Sequence, residues 1–228
     1  MPYHIALFDA DNTLLNFTLA ERQAISICLS ARALPTDEDT LAAYSAINDS
    51  HWKRLERGET TRDRLKVERF RDLFSALGFG GDPAFMARDY EAALSMQSQL
   101  LDGAIELISA LHGKCSLYII TNGITAVQKN RFSHCAIAPY FDGCFISEEM
   151  NCAKPEKRFF DLVAASIPHF DPETALVIGD SLSSDMQGGI NAGLDTCWYN
   201  PAGKIAPSGM SVTYTVSRLS EIKPILLG

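Results

Sequence analysis

The chain has no pair of cysteines at metal-binding or disulfide-framework spacing. Cys28, Cys115, Cys135, Cys144, Cys152 and Cys197 are scattered, with no CxxC among them. That argues against thiolate zinc sites and gives a disulfide framework no support. The thiols read instead as small buried apolar residues in a reducing compartment. His134 and His169 also lack ligand spacing and read as structural. No run approaches the length of a membrane-spanning helix, and the N-terminus lacks a basic segment followed by a long apolar stretch. A cytoplasmic protein with no membrane partner is expected. Positive charge is scarce too: 20 Lys and Arg stand against 28 Asp and Glu, a net charge of −8. A nucleic-acid polymer would be repelled on average, whereas a small phosphorylated ligand held by a local site would not. Repeats and low-complexity tracts are absent as well.

What is present suits a soluble globular chain: 228 residues, 46% hydrophobic and 21% charged, enough for an α/β core with a smaller insertion. Two textures alternate. Residues 3–8, 116–120, 144–147, 175–179 and 195–199 are short apolar runs bounded by Gly, Asn or Asp, and helical patterns at 103–112 and 155–166 lie between them. Strands alternating with helices predict a parallel sheet with crossover helices.

Residues 18–97 carry only helical periodicity. Thr18 with Glu21 spells a capping box before Ala24, Ile25, Cys28 and Leu29. Leu41, Tyr44, Ile47, Trp52 and Leu55 approximate a helical face stopped by Gly58. Val67, Phe70, Phe74 and Leu77 make another, ended by Gly78 as a C-cap. Asp82-Pro83 reads as an N-cap followed by proline at the first helical position.

Ligands of an open α/β sheet bind at the carboxyl ends of its strands. After 5–8 comes Asp9-Ala10-Asp11-Asn12-Thr13; after 116–120, Thr121-Asn122-Gly123; after 144–147, a loop to Lys154-Pro155; after 175–179, Asp180 through Asp185. Clustered carboxylates without His or Cys call for a hard divalent cation, and oxygen ligands point to Mg²⁺. A lysine and a threonine hydroxyl suit phosphoryl oxygens. The nucleophile left in the set is a carboxylate, which can form an aspartyl-phosphate. On this reading Asp9 attacks, and Asp11 protonates the leaving oxygen and then activates water.

DxDxT, TNG, KP and GD(x4)D in this order resemble the four motifs of the haloacid dehalogenase-like phosphohydrolases, over residues 5 to about 199. The stretches ISEEMNCAKPEKRFFD and GDSLSSDMQGGINAGLDTCWYN are similar to a bacterial pyrimidine-type 5′-nucleotidase branch. The resemblance implies Asp9 as nucleophile and Asp11 as acid/base, with Thr121, Asn122 and Lys154 on the phosphate. It implies Mg²⁺ held by Asp9, the Asp11 main-chain carbonyl and Asp180, with Asp185 ligating through water or orienting the others. It also implies a Rossmann-like three-layer core over 1–15 and 98–228 with an all-helical cap over 16–97. Dehalogenases of the superfamily need no acid at the second Asp position, so Asp11 favours phosphate ester hydrolysis. The expected substrate is a nucleoside 5′-monophosphate. A sugar-phosphate phosphatase, a phosphomutase or a non-catalytic phospholigand-binding protein stays open, as does monomer or homodimer.

Each motif has a plainer reading. Asp and Asn after a strand make turns or cap helices, and Asn-Gly is foremost a turn signal. Lys154 could be a solvated residue before a helix. Yet with Pro155 at the first helical position, a lysine would face the positive helix end, which favours function. The basic run Arg62, Arg64, Lys66, Arg69, Arg71 reads as a solvated helix face. The opposing reading has the turn Gly58-Glu59-Thr60-Thr61 reach the site, which makes Gly58 and Thr61 candidates for leaving-group selection. Phe17, just past the catalytic loop, could stack on a base. Trp198 and Tyr199 read as core.

Overall fold

The computed structural model describes residues 3–228; Met1 and Pro2, which open the expected core segment, lie outside the described residues. The chain runs through β1 (Ile5–Phe8), α1 (Phe17–Ser30), α2 (Glu38–Glu56), α3 (Arg62–Leu77), α4 (Pro83–Ser95) and α5 (Ala104–Leu111). Then come β2 (Ser116–Thr121), α6 (Thr125–Ser133), β3 (Gly143–Ile146), α7 (Ser147–Met150), α8 (Lys157–Ser166) and β4 (Ala175–Gly179). α9 (Gln187–Ala192), β5 (Asp195–Tyr199), β6 (Tyr214–Val216) and α10 (Ile222–Leu227) complete it.

All six strands are parallel, in the order β3-β2-β1-β4-β5-β6. The five expected strands are present. β6, a three-residue strand, gave no apolar run to read. Successive side chains of a strand point to opposite faces. Thus Ala6, Phe8, Leu117, Ile119, Leu176 and Ile178 pack with α5 and α10 on one face of the sheet. Ile5, Leu7, Ile120 and Val177 pack with Phe159, Phe160 and Val163 of α8 on the other. Full burial of one such Leu or Phe stabilises by about 1.5–3 kcal/mol. Phe8 is level with Ile119 and Ile178, so β1, β2 and β4 release their chains toward one edge. The strand order reverses at β1, with β2 and β3 to one side and β4, β5 and β6 to the other, and a crevice opens there.

The four helices between β1 and α5 pack on each other, α1 on α4, α2 on α3 and α3 on α4. They share an apolar cluster of their own, including Ile25, Leu29, Tyr44, Phe70, Leu73, Met86 and Tyr90, which continues onto Ile124 and Val127 at α6. Asp82 caps α4 ahead of Pro83, and Gly78 closes α3 at φ 68°. The Thr18–Glu21 capping box does not form. Asn16 caps α1 by accepting from the Leu19 N–H at 3.0 Å, because the helix starts at Phe17. Thr18 is instead tied back to the loop after β1, its N–H and hydroxyl both donating to Asn12 Oδ1. Pro155 is likewise not the first helical residue: α8 begins at Lys157 with Glu156 as its cap, two residues beyond Pro155. The six cysteines are unpaired; Cys144, on edge strand β3, is exposed rather than buried. His134 and His169 are exposed. Among the described residues no helix is long and apolar enough to cross a membrane.

Candidate active site

Asp9, Thr121, Lys154, Asp180 and Asp185 all line one cavity of about 520 Å³, between the ends of β1, β2 and β4 and the inner side of the helical insert. Asp9 leaves β1 only 7% exposed. Its Oδ1 accepts from Lys154 Nζ at 2.7 Å, and its Oδ2 from the Thr13 hydroxyl at 3.2 Å. Burial pushes the Asp9 carboxyl well above the ordinary carboxylate range; Lys154 opposes the shift, and Asp185, Asp180 and Asp11 add to it.

Lys154 reaches this position from the loop before α8. Its ammonium is 1% exposed and directs its three donors to Asp9 Oδ1, Asp185 Oδ1 and the Ile120 carbonyl, at 2.7, 2.7 and 2.9 Å. Burial alone would weaken its hold on the proton, but the two carboxylates outweigh that and raise it. Asn122 fixes the loop. Its side-chain amide donates to the Lys154 carbonyl at 2.8 Å and its Oδ1 accepts from the Lys154 N–H at 3.0 Å. Asn122, expected beside Thr121 with its side chain or amide near the phosphate, lines the cavity, and its side chain braces Lys154.

Thr121 Oγ1 accepts from the Gly123 N–H at 3.1 Å and from Gln128 Nε2 at 2.9 Å. With two donors arriving, the hydroxyl's own hydrogen is left to donate. Gly123 is required here, since a Cβ on it would sit 2.4 Å from Gln128 Nε2. Gly179 has the same role after β4: a Cβ there would meet the Asp185 carboxylate at 2.2 Å. Asp185 Oδ2 accepts from the Ser181 N–H at 3.1 Å, and Ser181 caps the π-turn Leu182–Met186.

Asp9, Asp180 and Asp185 each offer one carboxylate oxygen, all within 4.8 Å of one another. Burial, with Asp185 beside it, pushes the Asp180 carboxyl up to about 7, with Lys154 opposing. Four carboxylates here, counting Asp11, face two buried cations, Lys154 and Arg131. The excess of two negative charges and the all-oxygen donor set suit a hard divalent cation.

Asp11 is held by two residues of α6. Arg131 Nη1 donates to its Oδ1 at 2.5 Å and Gln128 Nε2 to its Oδ2 at 2.7 Å. Arg131 Nε also donates to the Gln97 carbonyl at 2.7 Å, and its guanidinium lies 5.9 Å from the Phe17 ring centroid. Sequence reading missed Gln128 and Arg131. Their signal is positional: on α6 they are in phase with Ile124 and Val127, two polar residues on the buried face. Trp198 is core, as expected, but its indole N–H also donates to the Asp180 carbonyl at 2.9 Å.

From the insert, Phe17, Glu21, Asn48, Trp52, Glu56 and Arg62 line the cavity. Gly58 and Thr61 do not. Gly58 ends α2 at φ 71° and Thr61 caps α3, and both are exposed. Just past this turn, Arg62 lines the cavity, and its Nη2 donates to the Asn122 carbonyl at 3.1 Å and to Ser147 Oγ at 2.8 Å. Burial makes the Arg62 guanidinium less basic than usual. Lys66 pairs with Glu148 at 3.0 Å, and Ser183 Oγ donates to Glu56 at 2.9 Å. The basic run is thus not a solvated face throughout. Arg64 and Arg71 face solvent, while Arg62 and Lys66 grip the core and Arg69 is 1% exposed, under the rings of Phe70 and Tyr90.

An acidic cluster with a lysine and a threonine, at the crevice of a Rossmann-like sheet, defines a hydrolase class built around a strand-end aspartate. The family model of haloacid dehalogenase-like hydrolases matches residues 3–193, and the chain belongs to that family of enzymes. It is 40% identical over 202 residues to pyrimidine 5′-nucleotidase PynA of Streptococcus pneumoniae, covering 88% of this chain and 85% of the relative. To pyrimidine 5′-nucleotidase YjjG of Escherichia coli it is 33% identical over 229 residues, covering 99% of each. The HAD-hydrolase YfnB of Bacillus subtilis is 39% identical over 224 residues, 98% of this chain and 95% of that one. A crystal structure of YfnB bound to magnesium superposes with a TM-score of 0.94, covering 99% of both chains.

Proposed function

We propose that the protein is a Mg²⁺-dependent phosphatase of nucleoside 5′-monophosphates with a pyrimidine base. The observation that carries the reaction is the buried Asp9 carboxylate, oriented by Lys154 and Thr13 and opening into a cavity that also holds Asp180 and Asp185. The substrate class rests on similarity to the two pyrimidine 5′-nucleotidases.

An Asp9 oxygen attacks phosphorus. The bond to the ester oxygen breaks, and that oxygen leaves with the bonding pair and takes a proton from Asp11. Asp11 then removes a proton from water, whose oxygen attacks the aspartyl-phosphate; inorganic phosphate departs and the Asp9 carboxylate returns. Both Asp11 oxygens are engaged by Arg131 and Gln128, so delivery of the proton requires a turn of the Asp11 side chain away from them. Thr121 donates its hydrogen to a phosphoryl oxygen, and Lys154 supplies fixed positive charge beside the nucleophile. Asp9, Asp180 and Asp185 would hold the Mg²⁺, with the Asp11 carbonyl as the family resemblance implies. The ion, when bound, neutralises charge on the phosphoryl oxygens.

Residues 16–97 serve as the cap of a core formed by 1–15 and 98–228. Their separate apolar cluster and their lining of the cavity opposite Asp9 support that division. Closing the cap excludes bulk water during the first step. The test is phosphate release from UMP, dUMP, dTMP and a panel of sugar phosphates, with Mg²⁺ and with a chelator. Metal-dependent release strongest with the nucleotides is the expected result. Stronger release from a sugar phosphate would reassign the substrate and leave the mechanism standing.

A further inference from the structure

A carboxylate stands in the cap wall of the cavity without a cation bonded to it. Glu21, on α1, is 6% exposed and lines the cavity. Ser45 Oγ and Asn48 Nδ2, from α2, donate to its two oxygens, the amide at 2.6 Å. Arg69 stops one residue short: its Nη1 donates to Asn48 Oδ1 at 2.9 Å. A guanidinium only donates, so this bond fixes the amide orientation, with Oδ1 toward Arg69 and Nδ2 toward Glu21. Burial raises the Glu21 carboxyl, with the Ser45 and Asn48 hydrogen bonds opposing. A buried carboxylate without a bonded cation is costly and calls for a role. Each Glu21 oxygen accepts one of the bonds described and can take another, while the Asn48 amide carries a second hydrogen. Side by side, they make an acceptor next to a donor. Phe17 and Trp52, half-buried in the same cavity, supply ring faces for a planar group.

We propose that Glu21 and Asn48 form the base-reading edge of the cap, accepting a planar heterocycle that presents an N–H donor beside a carbonyl acceptor, as uracil does at N3–H and C4=O. This rests on the phosphatase reading and extends it to the leaving group. Arg69 is a positioning residue in it, holding the Asn48 amide in the reading orientation. Sugar phosphates offer hydroxyls but no flat edge of this pattern and would not use the site.

The experiment compares uridine 5′-monophosphate, its N3-methyl analogue and p-nitrophenyl phosphate with Mg²⁺ present, for the wild-type protein and for Glu21→Met. In the wild type, kcat/KM is expected to fall at least about tenfold on N3-methylation, since the methyl removes the donor and leaves the buried carboxylate unpaired. In Glu21→Met that penalty is expected to shrink to about twofold or less, and the ratio of uridine 5′-monophosphate to p-nitrophenyl phosphate turnover to drop at least about tenfold. Equal cleavage of the parent and methylated nucleotides by the wild type would overturn the proposal and leave the phosphatase reading intact. So would an N3-methyl penalty that persists in Glu21→Met. No phosphate release from any of the three esters would overturn the phosphatase reading and the proposal together. Should Glu21→Met fail to fold, the wild-type comparison decides alone.

Discussion

On the core wall of the cavity most functional side chains are cross-tied: Lys154 to two carboxylates and a carbonyl, Asn122 twice to the Lys154 main chain, Asp11 to Arg131 and Gln128. The wall given by the insert carries rings, a polar chain Arg69–Asn48–Glu21–Ser45 with no ion pair inside it, and Glu56 and Arg62 bonded across to the core. Where bonds are made and broken, groups are locked by opposite charges at short range. Where the proposed function places the leaving group, the wall offers area and a few oriented donors and acceptors. Changes to the first should lower turnover on every ester, and changes to the second should alter which ester is preferred.

Several variants can break that contrast. The largest effect is expected for Asp9→Asn: phosphate release should fall by at least about 10⁴-fold on every substrate, because no nucleophile remains. Comparable activity on any ester would end the core's claim to the chemistry. Next is metal removal. Chelation should abolish turnover by at least about 10²-fold, with recovery when Mg²⁺ is returned. Lys154→Met should cost both activity and stability. It leaves Asp9 and Asp185 buried without their cation, a loss of roughly 3–5 kcal/mol, read as a fall in melting temperature of roughly 6–20 °C. Arg131→Met should sharpen the division inside the core. If Arg131 sets Asp11 for proton delivery, alkyl phosphates, which need an acid, should slow by about 10²-fold, and p-nitrophenyl phosphate, whose phenolate leaves unaided, by only a few-fold. A uniform loss on both would make Arg131 purely structural. The smallest effect falls on the cap: Phe17→Ala should raise KM for nucleotides roughly tenfold, with kcat little changed, through lost stacking.

The same contrast governs how much could be read beforehand. Asp9, Thr121 and Asp180 were legible because each stands at the end of a buried strand, and a parallel sheet delivers its strand ends to one edge, while Lys154 and Asp185 were legible from the KP and GD(x4)D patterns. The strands themselves were legible as apolar runs, apart from β6 on the rim. Gln128 and Arg131 stood in plain sight on the buried face of α6, but a polar residue in phase with apolar ones gives no hint of its partner 117 or 120 residues away. The cap was harder still. Its reach toward the core depends on where each helix begins, and that reading slipped at Thr18 and at the Gly58–Thr61 turn. One residue of helix phase separates exposed Thr61 from Arg62, which bonds Asn122 and Ser147. Arg69 was misread for a related reason: a charge in a basic run gives no sign that aromatic rings await it.

The cap leaves and rejoins the core at almost one point. The Asn16 N–H donates to the Gln99 carbonyl and the Leu101 N–H to the Leu14 carbonyl, both at 2.8 Å, so the outgoing and returning chains run side by side. To the core, residues between them amount to a long excursion whose ends already meet. Doubling the length of such an excursion costs only about 0.6 kcal/mol in closure entropy. Changes of length between these two chains thus add little closure cost to the sheet that carries Asp9. On the proposed reading the molecule is organised like a handle with a separate bit, hung from the sheet at one place.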